Sequence, residues 1–154
     1  MFKLKYQFTD FLFRALFSLI FIGLGFEHIF QDAQIQSMMP AWLPLKRLIS
    51  LSVGLLLLTG GFSLLCGYKV KLGAVILGIF LVIVSLTIHL PALAQIPQDL
   101  PQDWHWLWNV YQRSNLFKNL CLLGGCFQLA NHRIGRFSVE HYLMKREKTD
   151  TNQV

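Results

Sequence analysis

The chain has 154 residues, about one domain's length, of which 54% are hydrophobic and 14% charged, where a soluble domain carries about 25% charged. With a mean hydropathy of +0.46 this composition leaves too little polar surface for a water-soluble shell or for disorder, and three cysteines are too few for a disulfide scaffold. The net charge of +6 does not imply nucleic acid, because the basic residues flank apolar runs.

Taken in chain order, the first apolar run is Phe11 to Phe30, long enough to cross a bilayer but holding Arg14, Glu27 and His28 toward its ends. Arg14 is expected to snorkel to the interface. The run lacks the short core and small-residue site of a cleaved signal peptide. Residues 31 to 47 follow, with Pro40 and Pro44 around Trp42, the pattern of a broken segment lying at the interface. Leu48 to Cys66 and Leu72 to Leu90 are apolar on all faces, and only His89, at the far end of the second, is titratable. Between them runs the tight basic turn CGYKVKLGA. Residues 91 to 115 hold Pro91, Pro97 and Pro101, then Trp104, Trp106 and Trp108, an interfacial aromatic belt. Residues 116 to 131, which include Lys118, form the weakest of four spans.

Of the fourteen Lys and Arg, ten fall on the side of the termini and of the turn at Lys69 and Lys71, counting the tail from Arg133 to Lys148. The positive-inside rule then places both termini in the cytoplasm. The expected fold is all-α: an integral membrane four-helix bundle over residues 1 to 143, with a polar cytoplasmic tail from 144 to 154. Small residues at four- and seven-residue spacing predict the packing faces: Gly25, with Arg14, Phe21 and His28, on the first span; Ser50, Gly54 and Gly61 on the second; Ala74, Gly78 and Ser85, with His89, on the third; Cys121 and Gly125 on the fourth. The cysteines read as packing residues.

Ionisable groups inside a membrane are functional candidates, since each costs about 2.5 to 3.5 kcal/mol near a helix centre. Glu27, His28 and His89 arrive at the same outer depth, with Asp32, Asp99, Asp103 and His105 in the loops above. Histidine and carboxylate are the residue types that proton-coupled redox needs, so these three are the candidate quinone or proton site. A metal site is not supported, because no HxxxH or HxxE spacing sets two ligands on one helix face. Haem is disfavoured too, although His28 and His89 facing each other across helices would satisfy its axial geometry.

The order of these features resembles the DoxX family: Arg14, Phe21 and Gly25 opening the first span, two apolar spans joined by a basic turn, His89 closing the third, and Gly135-Arg136-Phe137-Ser138-Val139-Glu140, similar to the family's G-[RP]-x-S-[LIV]-[DE] ending. The likeness covers about residues 11 to 143. It departs at His28, where the family often has Lys, and at residues 55 to 58, all Leu, where it often has Glu. The resemblance implies a prokaryotic plasma-membrane protein associated with quinol oxidase or thiosulfate:quinone oxidoreduction, without implying catalysis by this chain alone. The expected partners are the lipid bilayer and a redox-complex protein, with homo-oligomerisation open and a quinone as the expected cofactor class. A non-catalytic membrane scaffold is the alternative, resting on the packing faces, the scarcity of buried polar groups and a basic tail suited to anionic lipid or a cytoplasmic partner. A transporter is weaker, for want of an inverted pair of broken apolar segments.

Overall fold

In the computed structural model, residues 2–40, 42–97, 100–131 and 135–151 are described, and Asp99 and Arg133 lie outside them. Seven α-helices and no strand occur among the described residues: α1 (Phe2–Phe30), α2 (Asp32–Met38), α3 (Lys46–Cys66), α4 (Val70–Val84), α5 (Leu90–Ala94), α6 (His105–Ala130) and α7 (Val139–Thr151). A π-helical turn, Ser85–His89, joins α4 to α5, and a 3₁₀ turn, Gln102–Trp104, leads into α6. Among the described residues three helical stretches are long and apolar enough to cross a membrane: Gln7–Phe30, Lys46–Cys66 and Val70–Ala94. The fourth long helix, α6, starts well before the expected boundary at 116. Its first half carries Trp106, Trp108, Gln112 and Arg113, so its overall composition is more polar than that of the other three.

The chain packs in series, α1 along α3, α3 on α4 and α4 on α6. Small residues line the helix contacts beside a few large apolar ones, and most other large apolar side chains face outward, as lipid solvation allows. Ser50, Ala74 and Leu77 are fully buried, whereas Leu16, Leu19, Leu55, Ile79, Ile83 and Phe127 are exposed. A Cβ on Gly54 would sit 3.0 Å from the His28 Cβ and 3.1 Å from the Gly25 carbonyl, so the α1 and α3 backbones touch there. Phe17 of α1 packs against Gly125 of α6 and closes the ring of helices at that level. On α6 the buried residues are Gln112, Cys126 and Leu129; Cys121, expected in the packing face, is exposed.

Arg14 does not snorkel. It is 1% exposed, paired with Asp10 at 3.3 Å. Its guanidinium donates to the carbonyls of Leu64 (2.9 Å), Leu65 (3.4 Å) and Phe137 (2.6 Å). The first two are terminal carbonyls of α3, which ends in a Schellman motif: Gly67 at φ +68° donates to Leu64, and Tyr68 donates to Ser63. Arg14 therefore sets a positive charge on the negative end of α3. At the start of α4, the Lys69 amide donates to the Glu140 carboxylate at 3.2 Å, a negative charge on a positive end. Ser138 caps α7, accepting from His141 and donating to Gly135. Segments distant in sequence thus lock onto one turn: α1, the 67–69 corner and residues 135–140.

Candidate functional site

At the other end of the bundle the ring is open between α1 and α6. A cavity of about 440 Å³ lies there, within the range of about 300–1,000 Å³ usual for small-molecule sites. Glu27 and His28 from α1, His89 from the π turn, and Tyr111, Lys118 and Asn119 from α6 line it above a floor of Phe21, Leu57 and Leu81. The three residues expected from sequence are brought together in one cavity.

Two buried polar side chains orient the imidazoles. Ser50 of α3, fully buried, has its hydroxyl 3.2 Å from the His28 carbonyl and 3.2 Å from His28 Nδ1. One hydroxyl proton satisfies both contacts only when it is donated to the carbonyl while Nδ1–H donates to Oγ. His89 Nδ1 lies 2.8 Å from Oε1 of Gln112, which is 5% exposed, and an amide oxygen only accepts. These partners make Nδ1 the donor in both rings, which leaves Nε2 as the nitrogen that can accept.

His89 owes its place to the π turn. Pro91 has no N–H and its ring crowds the preceding turn, which bars regular α bonding there. Leu90 donates instead to Ser85, five residues back, and Ser85 also accepts from Asn119 at 3.2 Å. Such single π turns recur at functional sites because they re-aim the side chains on them. Trp108 donates to the Ala92 carbonyl at 3.0 Å and ties α6 to the segment beyond the turn.

Tyr111, Gln112, Asn115 and Asn119 were missed by sequence reasoning. Tyr111, Asn115, Lys118 and Leu122 recur at three- and four-residue spacing on one face of α6, the available signal; a span begun at residue 116 splits that face. Asp32 is held in the α2–α3 corner, accepting from Gln36 at 2.7 Å and facing Arg47 at 3.8 Å, and does not line the cavity. His105 donates to the Leu100 carbonyl, and Asp103 belongs to the 3₁₀ turn. Among the described residues no group of three or more His, Cys, Asp or Glu is arranged to hold a metal ion. A second hollow, between α4 and α6, is lined by Gly78, Cys126 and other apolar residues alone and supplies no polar chemistry.

No curated protein and no solved structure matches the chain. The DoxX family model matches residues 9–90, a stretch that holds Arg14, Glu27, His28, the 67–69 corner and His89 but neither α6 nor the tail.

Proposed function

This chain belongs to the DoxX family of membrane proteins, and on that footing we propose that it is a subunit or partner of a quinone-linked redox complex. The observation that carries this reading is the convergence of Glu27, His28 and His89 on one cavity with an apolar floor. A quinol ring has an apolar body and two hydroxyl donors, which matches two imidazoles whose unprotonated nitrogens accept. On oxidation a quinol releases two protons and two electrons. His28 and His89 take the protons, Glu27 relays them toward the loop end, and the electrons pass to the partner protein. Lys118, also in the lining, would place a positive charge beside the bound headgroup.

In this reading α6 is a fourth span despite its polar first half, because Tyr111 and Asn115 of that half line the cavity and Gln112 is buried, and its Trp-rich start sits at headgroup level. Both termini then lie in the cytoplasm of a prokaryote and the cavity opens near the outer face of the plasma membrane. The test is labelling of the detergent-solubilised full chain with a photoreactive short-chain quinone, beside quinol-dependent oxygen uptake in native membranes. Labelling should map to α1, residues 85–89 or α6, and His28→Ala and His89→Ala should each cut labelling and oxygen uptake at least tenfold. Unchanged uptake in both variants, with label scattered over the lipid face, would sink the reading. A scaffold role is the second reading, favoured by the exposed Lys145, Arg146 and Lys148 of α7; it expects both histidine variants to behave as wild type while loss of residues 144–154 releases a partner.

A further inference from the structure

The tail end of the bundle carries a further cavity, of about 510 Å³, lined by Arg136, His141, Tyr142 and Lys145. Among the described residues no carboxylate lines it. The nearest acid in sequence, Glu140, is turned away and held on the Lys69 amide. Arg136 and Tyr142 are exposed, as are the apolar residues around them: Phe137, Val139, Leu143 and Met144. Phe137 also packs on Phe11 of α1, with ring centroids 6.3 Å apart, so this apolar skirt continues onto the lipid-facing side of the first span. Arg136 flanks Phe137, whose carbonyl bonds Arg14 of α1.

These features define the occupant. A cationic pocket directly beside exposed apolar side chains at the end of a membrane bundle matches a phosphate group with acyl chains attached, and the phenol of Tyr142 suits the headgroup level. A soluble phosphate compound would have no use for the apolar skirt. An acidic protein segment would leave that skirt in water. We propose that this cavity binds the headgroup of one anionic phospholipid, whose chains run along the skirt beside Phe11 and Phe137.

The experiment is native mass spectrometry of the full chain released from micelles holding equal amounts of phosphatidylglycerol and phosphatidylcholine. One retained phosphatidylglycerol per chain is expected, favoured at least tenfold over phosphatidylcholine. Arg136→Gln with Lys145→Gln should reduce that preference to parity. Lys71→Gln, an exposed basic change outside the cavity, should leave it intact and control for bulk charge. Equal retention of the two lipids by the wild type, or an undiminished preference in the double variant, overturns the proposal. So does loss of the adduct to millimolar inorganic phosphate, which would mark a site for free anions. A polyglutamate peptide binding these residues where phosphatidylglycerol does not would make the surface a protein dock and equally overturn it.

Discussion

Replacing Arg14 by alanine tests the corner where α1, α3, α4 and the tail meet. The change strips a buried cation from Asp10, whose side chain is 7% exposed, and removes the donor to the Leu64 and Phe137 carbonyls. Breaking a buried ion pair by deleting one partner costs about 3–5 kcal/mol. The Phe137 carbonyl, deprived of its donor, adds about 1–3 kcal/mol where water stays out, whereas the Leu64 carbonyl keeps the Gly67 amide. Water enters once the tail lifts and rehydrates those groups, so the pair term dominates and the expected loss is about 3–5 kcal/mol. For a chain of this size that corresponds to a fall of order 10 °C in the unfolding midpoint. Cys126, 2% exposed, is the reporter: with Cys66 and Cys121 changed to alanine, a thiol-reactive dye labels Cys126 only as the bundle opens. The tail supplies a second readout, since trypsin should cut after Arg136, Lys145 or Arg146 sooner in the variant. Arg14→Lys keeps the charge but lacks the planar fork that reaches several acceptors at once, and it should fall between the two. An Arg14→Ala protein with wild-type midpoint and wild-type tail proteolysis would refute the clamp.

Gly54→Val should push α1 off α3 and displace His28, whose Cβ already stands 3.0 Å from the site of the new Cβ; an overpacking cost of about 1–3 kcal/mol should appear in the same dye assay, together with weaker quinone labelling. Gln112→Leu removes the acceptor that orients His89 and should weaken binding of a short-chain quinone analogue about tenfold, one hydrogen bond's worth, whereas Gln112→Glu keeps an acceptor and should restore most of it; equal affinity in all three proteins would show that the amide does not position the ring.

The helical class and the three apolar spans were legible because an apolar run leaves the backbone one way to satisfy itself in lipid. The small-residue faces on α1, α3 and α4 were legible for a related reason: Gly25, Gly54, Ala74 and Gly78 recur at the spacing that close backbone approach demands. Glu27, His28 and His89 could be matched in depth by counting along each span, but their convergence depends on which helices are neighbours, and no periodicity encodes that. Arg14 misled because a cation near a helix end has two solutions, water or acceptors from elsewhere in the chain, and its acceptors lie 50 and 123 residues away. The scarcity of buried polar groups was misjudged likewise, since Arg14, Ser18, Ser50, Ser85 and Gln112 are all buried. Gln112 went unseen because the hydropathy of α6 begins later than the helix itself, and Asn119, inside the expected span, because its role depends on Ser85 of another helix.

The clamp also imposes a schedule on synthesis. Chains grow at about 5–20 residues per second, so Arg14 precedes the Leu64 carbonyl by about 2–10 s and the Phe137 carbonyl by about 6–25 s. During that interval the first span has entered the membrane with a cation that none of these acceptors yet satisfies, and water at the membrane surface must stand in for them. Residues 135–140 leave the ribosome after all four long helices, and their arrival on the 67–69 corner completes the clamp. Truncation just before Gly135 would leave every apolar span in place and still produce a protein arrested one step short of assembly.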